Sequence, residues 1–158
     1  MKKFNLVLWL NLLMASIGFS GEISIDVNLF PAGSFEITSK SIEVGKFKTK
    51  GDSIMVEKIS VPKDSLVTGI DLRDKHMRER IKEKNIEVRN IKAKNGKGKG
   101  SIIINGVKKD IKFKYEKDDE EIEAKFKLEL DQFKIDDISY MGVGVENEIE
   151  LEIEFDLK

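Results

Sequence analysis

Residues Asn147–Lys158 read NEIELEIEFDLK, and this stretch decides the fold. Ile149, Leu151, Ile153, Phe155 and Leu157 alternate with Glu148, Glu150, Glu152, Glu154 and Asp156. Successive strand side chains face opposite sides of a sheet, so the segment is a strand with one dry and one charged face. A helix would scatter the five apolar residues around its circumference.

The same two-sided pattern recurs upstream. Ile122, Ala124, Phe126, Leu128 and Leu130 alternate through one long strand, and Ile111, Phe113 and Tyr115 through another at Val107–Lys117. Further strand signals are Ile23–Leu29, Ser34–Lys40, Val44–Lys50, Ser53–Val61, Leu66–Ile70, Ile86–Lys94 and Ser101–Ile104. Gly51-Asp52, Asn95-Gly96, Asn105-Gly106 and Asp118–Glu120 separate them as turns. In Ile86–Lys94 the spacing puts Ile86, Val88 and Asn90 on one face. Asp71–Lys84 is the one convincing helix, rich in Lys, Arg and Glu, without Gly or Pro, and with Leu72, Met77 and Ile81 as its inward residues. The expectation is an all-β fold: an extended antiparallel barrel of about eight strands with one short helical insertion. A sheet curled around an apolar interior is not the frame of a catalytic cleft.

The N-terminus bears on where the protein works. Lys2 and Lys3 precede an apolar run from Phe4 to Met14, and Ala15–Ser20 then turns to small residues. This is the layout of a secretory signal peptide cleaved before Gly21, with an apolar core too short for a comfortable membrane span; an uncleaved anchor is the competing reading. Residues 1–20 are therefore read as a signal peptide and 21–158 as the barrel domain, exported to the periplasm or secreted. The mature chain carries 26 basic and 29 acidic residues, a net charge of −3. That near-balance argues against nucleic acid, which calls for a basic excess on one face. The absence of cysteine removes disulfides and thiolate chemistry, and stability falls to packing and strand pairing.

Several segments, in order, carry a resemblance. Thr68-Gly69-Ile70-Asp71-Leu72-Arg73-Asp74-Lys75-His76-Met77 is similar to the TG-x-x-x-RD-x-HL segment of the YceI-like family. Gly100-Ser101-Ile102-Ile103-Ile104-Asn105-Gly106-Val107 resembles that family's G-x-L-x-I-x-G-V hairpin. Phe133-Lys134-Ile135 and Gly142-Val143-Gly144-Val145 fit its closing third. The resemblance implies a lipocalin-like barrel, exported to the bacterial periplasm, whose tunnel holds a polyisoprenoid or isoprenoid-quinone chain. After the RD-x-HL segment the chain departs from the family. Arg78–Asn85 stands where an aromatic-rich stretch with a lysine-tyrosine-proline element is usual, and the short mature chain leaves room for a narrower or partly filled tunnel.

A tunnel for an isoprenoid needs length and apolar walls rather than catalytic groups. The candidate wall residues are Phe35, Ile37, Phe47, Met55, Ile70, Phe113, Tyr115, Phe126, Leu128, Tyr140 and Met141. The competing reading is that these side chains simply fill a small barrel. On the helix, Arg73 or His76 would hold a polar head group, or Arg73 and Asp74 would tie helix to barrel. The bland alternative is a solvated helix with an Asp74–Arg78 pair.

Enzymatic readings fare worse. His76 is the only histidine, no serine sits in a nucleophile elbow, and a histidine-based metal site would have to be completed by carboxylates at spacings the chain does not show. Asn95–Gly100, NGKGKG, lacks the GK-[ST] ending of a phosphate loop and leads into a strand. The expectation is a non-enzymatic, cofactor-free binding protein whose partner is an amphiphilic isoprenoid lipid or quinone. It does not span the membrane once the signal is removed, and a homodimer is left open. The alternative is an exported interaction module with a solid core and a contact surface near Phe133, Tyr140 and Met141.

Overall fold

The computed structural model describes residues 21–157, so the signal segment expected at 1–20 lies outside the described residues. Eleven strands, one α-helix and two single 3-10 turns make up the described chain. The strands are β1 Gly21–Phe30, β2 Ser34–Ser39, β3 Glu43–Val44, β4 Phe47–Lys50, β5 Ser53–Pro62, β6 Asn85–Lys94, β7 Lys97–Ile104, β8 Val107–Lys117, β9 Glu121–Glu129, β10 Ser139–Tyr140 and β11 Val143–Asp156. Helix α1 is Asp71–Glu79.

Alternation sets which side of each strand is dry. In β11, Ile149, Leu151, Ile153 and Phe155 are buried, while Glu148, Glu150 and Glu154 are exposed and Glu152 is half-buried. The register carries the dry face across the sheet: Leu151 lies opposite Phe126 on one side and Ile25 on the other, and Ile25 lies opposite Ile37. A one-residue slip would invert every one of these side chains, so burial of one face fixes the register.

All pairing is antiparallel, in the order β2-β1-β11-β9-β8-β7-β6-β5-β3, with β4 also on β5 and β10 on β11. The two margins belong to one stretch of chain. Having paired with β1 through β2, the chain runs on through β3 and β4 to pair with β5. The margins are joined at several points. Thr38 and Val67 exchange backbone hydrogen bonds of 2.9 Å, Ser39 Oγ lies 2.7 Å from Ser65 Oγ, and the Phe47 ring meets Phe155 of β11 edge-on at 6.2 Å. The sheet therefore curls around one apolar core that draws on nearly every strand.

Four local expectations are corrected. Leu66–Ile70 is not a strand: Leu66 is buried, but only Val67 makes a bridge. Asn90 does not continue the face of Val88. It adopts φ 54° at an irregularity between Arg89 and Lys92, and the extra residue turns Ile91 and Ala93 inward instead. The helix stops at Glu79 rather than Lys84, because the residues beyond it are engaged elsewhere. Lys82 N–H donates to Asn105 Oδ1 at 2.8 Å, and the Glu83 carboxylate accepts from Asn105 N and Gly106 N at 2.7 and 2.8 Å. Leu72 points to solvent, while Met77 and Ile81 pack against the core as expected.

These contacts close one end of the barrel. The β7–β8 turn docks under the α1–β6 connection, and Asn105 Nδ2 donates to Arg80 O and Phe133 O, each at 2.9 Å. Phe133 and Ile102, both only 1% exposed, are packed there with Leu66. Asp74, the one buried residue of α1, accepts from Thr68 N and Oγ1 at 2.7 and 2.6 Å. The Thr68 hydroxyl bond is the main cause that holds its carboxyl below the ordinary range, against the opposing effect of burial. Arg78 Nη2 donates to Leu66 O at 2.9 Å. The helix is thus a polar-tied plug.

Candidate functional site

The interior that remains is narrow and apolar. A cavity of about 40 Å³ lies between β5, β6, β8, β9 and β11. Ile54, Ile91, Ala93, Phe113, Tyr115, Phe126 and Phe155 contribute to its walls. Fully burying an isoleucine or phenylalanine such as Ile54, Ile91, Phe126 or Phe155 contributes about 1.5–3 kcal/mol. Beside this cavity the inner wall thins, because Gly98 carries no side chain. The Phe113 ring lies over that glycine, where a Cβ on Gly98 would overlap it.

The open end is opposite the helix. There the turns at Gly51-Asp52, Asn95-Gly96 and Asp118–Glu120 cluster, and the inward aromatics Phe47, Phe113 and Tyr115 are only half-buried. Phe113 and Tyr115 stand 6.4 Å apart, tilted to each other. Phe113 and Tyr115 line the cavity and Phe47 packs on Phe155 of its wall, so three half-buried rings mark the mouth at this end.

Of the residues singled out from the sequence, Ile37, Phe126 and Leu128 are buried in the core, and Phe35, Phe47, Phe113 and Tyr115 pack partly against it. Four point elsewhere. Met55 faces solvent because its neighbours Ile54 and Val56 take the inner face of β5. Ile70 precedes α1 as its exposed N-cap. Tyr140 and Met141 are 74% and 84% exposed, because Met141 and Gly142 form the tight turn between β10 and β11, with Met141 at φ 51°, and Tyr140 ends the two-residue strand before it. They are not wall residues, and Phe133, grouped with them as a surface patch, is buried beneath the plug.

The helical trio does not sit at the mouth. Arg73 lies over the Phe35 ring at 4.2 Å from its centroid, a cation–π tie between α1 and β2. Asp74 is committed to Thr68, and His76 is exposed at the closed end. Arg73 and Asp74 are placed to hold the plug rather than to meet a ligand entering at the mouth. No group of three or more His, Cys, Asp or Glu suited to a metal occurs among the described residues. Nor is any helix among them long and apolar enough to cross a membrane.

Sequence reasoning missed how the charges are distributed. The near-balanced net charge hides a segregation by sign on the outer faces of the strands. On one side, Glu36, Asp26 and Glu150 form a cross-strand row and Glu22, Glu154 and Glu123 another. Glu121 is crowded enough by Glu154 that its carboxyl is pushed up. On the other side, toward the open end, the outer positions of β6, β7 and β8 are Lys92, Lys94, Lys97, Lys99, Lys112 and Lys114. With Met55, Phe113, Phe126, Lys127 and Glu150 they line a depression of about 990 Å³. At the boundary on β9, Lys125 lies 2.8 Å from Glu123 and 3.3 Å from Glu152, and Lys127 lies 2.9 Å from Glu148. The signal was in the sequence, but only the register lines it up.

The chain matches the model of the YceI-like domain over residues 15–157. No curated protein matches it. Among solved structures it is similar to BcnA of Burkholderia cenocepacia, with 10% identity, a TM-score of 0.66, and coverage of 87% of this chain and 96% of that one. It is also similar to a polyisoprenoid-binding domain from Saccharophagus degradans implicated in plant cell wall breakdown. There the identity is 9%, the TM-score 0.62, and the coverage 88% of this chain and 97% of that one. At such identities the likeness is one of fold.

Proposed function

The chain belongs to the YceI-like family, and on that premise we propose that it is an exported, non-enzymatic lipid-binding protein. It would hold the chain of a polyisoprenoid or isoprenoid-quinone-like amphiphile inside the barrel, for carriage or sequestration. The observation that carries this reading is an apolar interior reached through an aromatic mouth, with the opposite end plugged. The Saccharophagus degradans neighbour, described as polyisoprenoid-binding, supports the ligand class. The signal-peptide layout of residues 1–20 supports export.

The interior must widen to act. A dry cavity of roughly 150 Å³ accommodates benzene, whereas this one is about 40 Å³, so an isoprene unit enters only as side chains move. Phe113 is the side chain placed to give way, because it is half-buried at the mouth and lies over a glycine. Exposing an aromatic costs about 1.5–3 kcal/mol, while each buried methylene contributes about 0.8 kcal/mol, so one or two isoprene units offset the displacement. The same small volume favours the second reading, an interaction module with a solid core that admits nothing.

Uptake of an isoprenoid quinone separates the two. Phe113→Ala should increase uptake by opening the mouth, and Ala124→Phe, at a cavity-lining position opposite Tyr115, should abolish it. Circular dichroism would verify that both variants keep their strand content. Failure of wild type and Phe113→Ala alike to take up quinone would decide for the solid core.

A further inference from the structure

We infer that the lysine face of β6–β9 is a docking surface for a lipid bilayer with anionic headgroups, presented beside the mouth of the barrel. The register stacks the lysines in two adjacent rows. In one, Lys94 lies opposite Lys97, Lys97 opposite Lys114, and Lys114 opposite Lys125. In the next, Lys92 lies opposite Lys99 and Lys99 opposite Lys112. Every one of these side chains is exposed. Apart from Lys125, none has a carboxylate within 4.0 Å among the described residues. Lys48 and Lys50 extend the rows beyond β5.

Like charges directly opposite on neighbouring strands are destabilising. Two contiguous rows of them form a positive field that an extended anionic surface neutralises. Their position favours a bilayer. Lys94 and Lys97 flank the Asn95-Gly96 turn, which stands at the open end with the Phe113–Tyr115 rim, so a surface held by the lysines lies next to the mouth. The long lysine stems span the depression between the rows and let their ammonium groups reach a flat headgroup plane. A second copy of the chain fits less well. Its acidic strip is engaged in part, Glu123 and Glu152 by Lys125 and Glu148 by Lys127 within the molecule, and a basic-to-acidic contact between different faces builds open filaments unless the rotation closes.

Docking itself does not depend on the interior being loaded, but the idea that the mouth thereby receives its ligand rests on the proposed function. A juxtamembrane lysine contributes a factor of about five to binding of an anionic surface. Replacing Lys97, Lys99, Lys112 and Lys114 together by glutamine should therefore lower partition onto vesicles by about a hundredfold or more.

The test is co-sedimentation of the purified exported protein with vesicles of phosphatidylglycerol and phosphatidylcholine, at low and high salt, and with phosphatidylcholine alone. Binding that requires phosphatidylglycerol, is released by salt and is lost in the quadruple variant supports the inference. A control variant with Lys40, Lys75, Lys84 and Lys134 replaced by glutamine, all outside this face, should bind as wild type does. Ala124→Phe, with the interior blocked, should still dock, which separates this surface from the ligand reading. Equal binding to phosphatidylcholine alone, or an equal loss in the control variant, would overturn it. So would displacement from vesicles by duplex DNA at matched phosphate concentration, or salt-sensitive self-association that needs the same four lysines.

Discussion

Asn95 and Asn105 head two hairpin turns of the same sequence, Asn-Gly, and both adopt φ 52°. Replacing each with alanine should nonetheless cost very different amounts. At Asn95 alanine meets only the left-handed backbone penalty of about 1 kcal/mol. At Asn105 the side chain is buried and makes three hydrogen bonds, to Arg80 O, Phe133 O and Lys82 N. The bond to Phe133 O is fully buried, and orphaning such a carbonyl costs about 1–3 kcal/mol. The other two partners are partly accessible to water, and losing each bond costs about 0.5–1 kcal/mol. With the backbone penalty the total is about 4 kcal/mol, so the two variants should differ by about 3 kcal/mol. In urea denaturation, with a slope of about 2 kcal/mol/M, Asn105→Ala should unfold about 1.5 M earlier than Asn95→Ala. Asn105→Gly should regain only the backbone part. Midpoints within about 0.3 M of each other, or full rescue by glycine, would refute the claim that this side chain fastens the closed end.

The remaining expectations concern charge and packing. Because the Asp74 carboxyl is held below its ordinary value of 3.8, its stabilising contribution is complete above that value and is lost as pH falls through the folded-state value. Asp74→Asn should therefore flatten the acid limb of a stability–pH profile, and an unchanged limb would contradict the assignment. Ile102→Ala, at 1% exposure, should cost about 2–5 kcal/mol in urea denaturation, whereas Met55→Ala on the outer face should stay within about 0.5 kcal/mol. Replacing Lys97 and Lys114 by glutamine should stabilise the protein by about 0.2–1 kcal/mol at low salt, an effect that fades as salt rises, since it removes a like-charge pair.

Much of the fold was legible because a half-buried strand writes its orientation into a period of two. The alternation of β11, β9 and β8 and the two Asn-Gly turns needed nothing beyond local chemistry. Features that depend on distant contacts were not legible. The helix ends at Glu79 because Glu83 is drawn to the β7–β8 turn, which lies more than twenty residues away. Asn90 breaks the alternation through its backbone, which its neighbours do not announce. Apolar alternation turned Phe126 and Leu128 inward, where they are buried, but apolar character alone misplaced Met141 and Tyr140, which stand exposed at a tight turn. Net charge is a sum, and it erased the separation of lysines from carboxylates that cross-strand pairing creates.

The measurement that bears most directly on the account is native mass spectrometry, with organic extraction, of the protein purified from its own host's exported fraction. The expected species is a polypeptide beginning at Gly21 that carries one isoprenoid or isoprenoid-quinone molecule. A bare polypeptide that also fails to take up added isoprenoid quinone would contradict it.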